Sequence, residues 1–267
     1  MKNQKDKVRH ILALSGGKDS SALAVYLKDK IPNLEYAFCD TGEELDETYT
    51  YIHRLQDQLN IDVTWLKSER NFEYYLDMYN GVLPDANTRW CTRMLKIKPY
   101  EKYIGDDQTI SYVGIRADEF HRRGYEPTKP NIKSEFPFIK NRIYRDDVIR
   151  ILEEAGLGLP DYYTWRSRSG CYFCFFQQKI EWVGLRKYHN DLFEKAKKFE
   201  KFNPETGEHY TWMENESLKA LEDSRRRDEI REKYKKRQIQ IQKKFKGNQK
   251  LMDILTPDDD LCPICHL

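Results

Sequence analysis

Seven consecutive residues, Ser15-Gly16-Gly17-Lys18-Asp19-Ser20-Ser21, gather the groups that can hold an anion. Glycines let a main chain approach a ligand closely. The residues after them begin a helical pattern, and a helix N-terminus offers free N–H groups and the positive end of its dipole. Lys18 adds a point charge, while Ser15, Ser20 and Ser21 can donate hydroxyl hydrogen bonds. The glycine spacing is shorter than in a Walker A loop. An ordinary strand-to-helix turn capped by Ser or Asp is the plainer alternative, and the combination of residue types favours phosphate.

Other side chains able to do chemistry recur at the ends of apolar segments. Asp40, Thr41 and Gly42 follow a strand-like stretch, where Asp40 could hold Mg²⁺ or a ribose hydroxyl, or cap a helix with Glu43 and Glu44 in its first turn. Gly114 and Arg116 end another such stretch, and Arg116, Arg122 and Arg123 suit a phosphate or sulfate group, with Lys96 and Lys98 as further cations. Cys171 and Cys174 have the CxxC spacing that brings two thiolates to one metal, and Cys262 and Cys265 repeat it. Two such pairs can make a tetrahedral Zn²⁺ site or hold a [4Fe–4S] cluster. Cys39, within an apolar run, reads as a small buried hydrophobe.

The elements that must position these residues alternate. Val8 to Leu14, Leu34 to Cys39, Ile61 to Leu66 and Thr109 to Ile115 read as strands, whereas Ser20 to Lys28 and Leu45 to Leu59 read as helices. Strands and helices in this order imply an α/β fold, a parallel twisted sheet with helices on both faces. After Ile180 the apolar spacing of Trp182, Leu185, Leu192, Phe193, Ala196 and Phe199 becomes helical. The expected organisation is therefore a nucleotide-binding α/β domain over 1–180 and a basic helical extension over 181–267.

Composition narrows the class. Among 267 residues, 39% are hydrophobic and 13% aromatic, enough to fill a core. No apolar run is long enough to cross a bilayer. The N-terminal residues Met1 to Lys7 lack an apolar signal region, which implies a cytoplasmic chain with no membrane partner. In that compartment the six cysteines point to metal or redox chemistry before disulfides. The net charge is only +2, yet Arg225 to Lys250 holds twelve basic residues against Asp228, Glu229 and Glu232, so the remainder is acidic. Tyr234, Ile239, Ile241 and Phe245 interleave the basic residues, so part of the stretch should pack on something. A polyanionic partner is expected there, with binding that weakens as salt rises.

The segments together resemble the PP-loop ATP pyrophosphatases, in particular their phosphoadenosine-phosphosulfate reductase-like branch. The Ser-Gly-Gly-Lys-Asp-Ser-Ser loop is joined by Asp40-Thr41-Gly42 with Glu47-Thr48, by Trp90-Cys91-Thr92 with Leu95-Lys96 and Pro99, by Gly114-Ile115-Arg116 with Glu119 and Arg122, and by Gly170-Cys171-Tyr172-Phe173-Cys174. They run in the family's order over roughly residues 8 to 180. The resemblance implies ATP and Mg²⁺ as cofactors, bound by Ser15 to Ser21, Asp40 to Gly42, Gly114 and Arg116, with Lys18, Asp19, Asp40 and Arg116 as catalytic groups.

It also shifts the metal toward iron–sulfur, although Cys91-Thr92 stands where relatives have two adjacent cysteines. A cluster on Cys91, Cys171 and Cys174 would take its fourth ligand from Cys262 or Cys265, or leave one iron open as tRNA-thiolating relatives suggest. Zinc held by Cys171, Cys174, Cys262 and Cys265 would instead leave Cys91 free. DNA phosphorothioation proteins are the nearest in kind, and tRNA thiolases work in the same general manner. They imply ATP-driven adenylation of DNA or tRNA docked on 225–250, then sulfur transfer from a cysteine desulfurase or other donor protein. The alternatives are a sulfonucleotide reductase with Cys265 as nucleophile, which lacks the Glu and Gly of that motif, and a nucleotide-gated nucleic-acid-binding protein without turnover.

Overall fold

In the computed structural model, which describes residues 8–119, 122, 124–202, 205, 207 and 209–244, five strands pair in parallel. They are β1 (Arg9–Leu14), β2 (Leu34–Asp40), β3 (Val63–Lys67), β4 (Thr109–Tyr112) and β5 (Ile132–Glu135), in the spatial order β3-β2-β1-β4-β5. In register, Leu12 of β1 lies beside Tyr36 on one side and Tyr112 on the other.

Side chains alternate along β1, as the pleat requires. Leu12 and Leu14 point to one face, where they pack with Leu23 of α1 (Lys18–Leu27), Ile52 and Leu55 of α2 (Asp46–Leu59) and Leu152 of a helix over Arg145–Glu154. Ile11 and Ala13 point to the other, against Tyr100 and Ile104 of a helix over Lys98–Ile104. The expected α/β fold, helices on both faces of a parallel sheet, is the one observed. Asn60 ends α2 in the left-handed conformation, φ +49°, and the Ile61 N–H closes back on the Gln56 carbonyl at 3.1 Å. That cap consumes the residues expected to open the third strand, which begins at Val63 instead.

Between β3 and β4 lie α3 (Phe72–Met78), α4 (Trp90–Thr92), a single π-helical stretch (Arg93–Ile97) and α5 (Lys98–Ile104), the last three continuous along the chain. After β5 come α6 (Pro137–Lys140), α7 (Arg145–Glu154) and a 3₁₀ turn (Asp161–Thr164). Helices α8 (Lys179–Tyr188) and α9 (Asn190–Phe199) follow, with a two-stranded ribbon of β6 (Lys201–Phe202) and β7 (His209–Tyr210). A third apolar cluster unites Phe72, Trp90, Tyr162 and Phe173 with Trp182, Phe193, Trp212 and Leu218, so side chains on both sides of residue 180 share one core.

The last described element is α10 (Ser224–Lys244). Ile230 is buried in the third cluster, and the Arg226 guanidinium donates to both oxygens of Glu216, at 2.5 and 2.8 Å. The expected packing of its apolar residues is uneven, since Ile239 is 49% exposed. Phe245, Lys246 and Lys250 lie outside the described residues. No described helix is long and apolar enough to cross a membrane.

Candidate active site

β1 and β4 are neighbours, and the chain leaves β1 toward β2 on one side but leaves β4 toward β5 on the other, so the connections from their C-terminal ends run in opposite directions. Open α/β sheets form their ligand crevice at such a point. Here it lies where Leu14 runs into the anion loop and Tyr112 runs into Gly114 and Arg116. Gly16 takes φ +71°, and a Cβ there would stand 2.5 Å from Thr48 Cγ2, which leaves glycine as the residue that fits. Ser20 Oγ accepts from the Ser15 N–H at 3.1 Å and donates to the Gly17 carbonyl at 3.2 Å, bracing the loop. Ser20 and Ser21 are fully buried.

Lys18 and Asp19 open α1, both buried. Asp19 joins two cations, with Lys18 Nζ 3.2 Å from Oδ2 and Arg116 Nη1 3.0 Å from Oδ1. Gly114 permits that junction, because a Cβ on it would meet the Asp19 carbonyl and the Ser20 nitrogen at 3.0 and 3.1 Å. Arg116 is buried and also donates to Asp118, at 3.0 to 3.2 Å, with Glu119 Oε1 at 3.8 Å. Burial disfavours its charge, but the Asp19, Glu119 and Asp118 carboxylates outweigh burial and raise its pKa well above the usual value. Arg116, expected to hold phosphate, thus sits inside a cage of carboxylates, one of which it shares with Lys18. Arg122 pairs with Glu119, and Arg123 lies outside the described residues.

Asp40 ends β2 and organises the next turn. Its Oδ1 accepts from the Gly42 N–H at 2.9 Å and the Tyr49 hydroxyl at 2.8 Å, while Lys67 Nζ stands 3.2 Å from Oδ2. The helix-capping alternative is not realised, since Leu45 occupies the N-cap of α2. Glu43 and Glu44, expected in that helix's first turn, precede it and are buried. Glu44 takes hydrogen bonds from the Thr41 N–H at 3.2 Å and hydroxyl at 2.8 Å. Burial pushes its pKa up, against the opposing charge of Lys96.

The thiols adjoin this turn. Cys171 Sγ lies 3.2 Å from Thr41 Oγ1 and 3.9 Å from Glu44 Oε1. Arg166 shapes the cysteine loop, donating to the Gly170 carbonyl at 3.0 Å and the Cys171 carbonyl at 2.7 Å. Burial pushes the Cys91 thiol up to about 12, with the nearby Cys174 adding to the shift. Lys96, also considered for phosphate, is half-buried and feels the charge of the thiols and Glu44. Burial disfavours its ammonium, and Cys171, Glu44, Cys39 and Cys174 reverse that and raise its pKa. Lys98 is exposed. Cys39 is buried as expected, its Sγ 3.5 Å from the Lys96 carbonyl.

Among the described residues no three Cys, His, Asp or Glu side chains gather so as to hold a metal ion. Cys91, Cys171 and Cys174 offer suitable soft donors but do not complete a ligand set as they stand. Cys262 and Cys265 lie outside the described residues.

One segment escaped the sequence reading. Tyr162 donates its hydroxyl to the Gly16 carbonyl at 2.8 Å, Lys18 N–H donates to the Tyr163 hydroxyl at 3.3 Å, and Ser169 Oγ donates to Ser15 Oγ at 3.3 Å. Residues 162–169 therefore roof the anion loop and lead directly into Cys171. The tyrosines and serine carry no motif, and their partners are more than a hundred positions away, so no local pattern announced them.

The comparisons with known proteins support a place in the PP-loop superfamily. Residues 9–140, just under half of the chain, match the phosphoadenosine phosphosulfate reductase domain, which supports the phosphoadenosine-phosphosulfate reductase-like branch. Protein MJ0973 of Methanocaldococcus jannaschii is 26% identical over 199 residues, 68% of this chain and 45% of that protein. The tRNA-specific 2-thiouridylase MnmA of Streptococcus equi subsp. zooepidemicus is 26% identical over 214 residues, 67% of this chain and 55% of that one. An adenosine 5′-phosphosulfate reductase of Staphylococcus haemolyticus is 28% identical over 123 residues, 45% and 47% of the two chains. The chain spans about half the length of the curated relatives it matches.

Two solved structures are also similar. A phosphoadenylyl-sulfate reductase from Candida auris aligns at 13% identity and TM-score 0.48, covering 62% of this chain and 82% of that one. The U34-tRNA thiolase NcsA from Methanococcus maripaludis, with its [4Fe-4S] cluster, aligns at 15% identity and TM-score 0.43, covering 73% and 72%.

Proposed function

We propose that the chain is an ATP pyrophosphatase of a sulfur-transfer pathway that adenylates an oxygen of a nucleic-acid acceptor. The observation that carries this reading is the joining of the anion loop to the thiol loop by residues 162–171. It brings the anion loop and the thiols into one assembly, as such a reaction would need. ATP would lie with its phosphates toward the loop N–H groups and Lys18. The acceptor oxygen attacks the α-phosphorus, the bond to the β-phosphate breaks, pyrophosphate leaves, and AMP is joined to the acceptor. Lys18 stabilises the charge gathering on the leaving phosphate oxygens, and Asp19, locked to Arg116, fixes the Lys18 ammonium. A sulfur nucleophile delivered by a cysteine desulfurase or similar donor then displaces AMP.

Mg²⁺ would supply further charge neutralisation, with Asp40 as the carboxylate at that edge of the sheet. Its oxygens are engaged by Gly42, Tyr49 and Lys67, so a metal would have to replace the exposed Lys67. An iron–sulfur cluster on Cys91, Cys171 and Cys174 needs a further ligand, for which Cys262 and Cys265 are the candidates, and Zn²⁺ is the alternative metal. DNA or tRNA is the proposed acceptor, docked along α10 and the basic residues after it, and the setting is cytoplasmic.

The decisive experiment measures pyrophosphate release from ATP with Mg²⁺ and single-stranded DNA or tRNA. Acceptor-dependent release supports the reading, and its absence with every acceptor overturns it. The match of residues 9–140 to a reductase domain favours a second reading, sulfite release from a sulfonucleotide by Cys265. Sulfite release that survives Cys265→Ser removes it. Iron and sulfide analysis of an anaerobic preparation distinguishes a cluster from zinc.

A further inference from the structure

A cavity of about 330 Å³ opens between the Asp161–Thr164 turn, α8 and α10. Its volume is that of a small-ligand site. Tyr163, Trp165 and Tyr234 supply aromatic surface, and Arg166, Lys187 and Arg231 supply positive charge. We propose that this cavity receives one nucleotide unit of the acceptor strand, base inward and phosphate toward the cations. This rests on the reading of the acceptor as nucleic acid.

The wall chemistry selects that ligand class. Trp165 is held flat, stacked on Tyr188 at 5.8 Å with 22° between the rings, and Gly184 makes room for it, since a Cβ there would stand 2.6 Å from the indole. Arg166 is 2% exposed, and its two terminal nitrogens are spent on the cysteine loop. Its Nε is buried without a hydrogen-bond partner, which leaves the guanidinium charge in the wall short of one acceptor. The Glu181 carboxylate in the wall is consumed internally by the Ser167 N–H and hydroxyl at 2.7 and 2.6 Å and the Gln178 N–H at 2.8 Å. The cavity therefore presents rings and cations to its contents. Aromatic bases stack on such rings whatever their sequence, and their phosphates take the cations.

Two further observations favour a strand over a free mononucleotide. Arg231 and Tyr234 lie one turn apart on α10, and the helix continues from them through exposed Lys235, Lys236 and Arg237, a track for neighbouring phosphates. At the opposite wall, the Tyr163 ring lies 5.2 Å from Lys18 Nζ, so one side chain touches both the cavity and the anion loop.

The test uses the full chain, a short fluorescein-labelled single-stranded oligonucleotide and fluorescence anisotropy. Tyr234→Ala removes a stacking wall, and Ile180→Trp fills the cavity. Thermal melting by circular dichroism and ATP affinity confirm that each variant is folded. Each is expected to weaken oligonucleotide binding by about 10-fold, the order of one lost base stack. The dependence on salt should keep its slope in Tyr234→Ala, because no phosphate contact is removed, and ATP affinity should not change. Oligonucleotide binding equal to wild type in both variants overturns the proposal while leaving the nucleic-acid reading intact. A wild-type chain that binds no oligonucleotide overturns that reading itself. AMP binding lost in Ile180→Trp, with oligonucleotide binding unchanged, assigns the cavity to a free nucleotide and also overturns the proposal.

Discussion

Arg116 reaches Asp19 across 97 positions of sequence, with Nη1 3.0 Å from Oδ1, and so fixes the residue beside Lys18 at the mouth of the sheet. The pair is almost wholly buried, and removing one partner of a buried ion pair leaves the other charge uncompensated. Arg116→Ala should destabilise the fold by about 3–5 kcal/mol, read from urea denaturation. Arg116→Lys should recover part of that loss, since it restores charge without the planar fork. An Arg116→Ala chain as stable as wild type would contradict the role of the junction.

Lys18→Ala should separate chemistry from folding. Asp19 keeps Arg116 as a partner, so the melting temperature should change little. Pyrophosphate release should fall by about 100-fold or more if the ammonium stabilises developing charge. Retained ATP binding with no turnover in the wild type would instead point to a nucleotide-gated binding protein.

Gly114→Ala tests the close approach of β4's end to α1. The added methyl meets main-chain atoms of Asp19 and Ser20, which have little room to yield. Overpacking of this kind costs about 1–3 kcal/mol. Nucleotide affinity should fall as well, because the displaced atoms carry the anion loop, and calorimetric titration with ATP would show it.

The foot of α10 should loosen in acid. The Arg226 hydrogen bond, against the opposing effect of burial and with help from Lys179, lowers Glu216 from 4.5 to about 2. A carboxylate with a depressed folded pKa stabilises above its unfolded value, and that contribution is lost as pH falls from about 4.5 toward 2. Hydrogen-exchange protection at the start of α10, measured relative to the intrinsic rate at each pH, should fall through that window in the wild type. In Glu216→Gln protection should be low already at neutral pH and change less with acid.

Charge reversal at Lys235, Lys236 and Arg237 should weaken acceptor binding and flatten its salt dependence, leaving ATP affinity intact. All three side chains are exposed, so the fold should tolerate the change. Deletion of 225–250 should abolish acceptor binding, at some cost in stability because Ile230 and Arg226 anchor the helix to the body. Unchanged acceptor binding after charge reversal would remove α10 from the docking surface.

The sheet is legible in the sequence where burial is two-sided. The expected bounds of β1 and β2 lie close to the observed ones, because a short apolar run between turn residues suits a strand covered on both faces, whereas β4 starts at Thr109 as expected but ends at Tyr112, short of the expected Ile115. β5 gives no such signal, since Ile132-Lys133-Ser134-Glu135 is a polar edge strand. The anion loop can be read because its function depends on local sequence. Lys96 cannot, since a half-buried ammonium among thiols and an exposed one near phosphate look alike until the chain is folded. Glu43 and Glu44 are misplaced for a similar reason: acidic residues before a helix are ordinary, and nothing local says that these two turn inward.

The π-helical stretch at Arg93–Ile97 sets an angular phase. Cys91 and Lys96 are five positions apart, a separation that a regular α-helix would rotate about 140° around its axis. The widened turn reduces that angle and brings thiol and ammonium toward a common side. The chain thus carries one residue more than a uniform helix would need between these two groups. Deleting one residue from the stretch should restore the ordinary pitch and still leave the pair facing the same way. Regularising the helix at its present length would instead unscrew Cys91 from its cation. The spacing of the two residues is therefore a timing mark, readable only by knowing how many residues the turn between them contains.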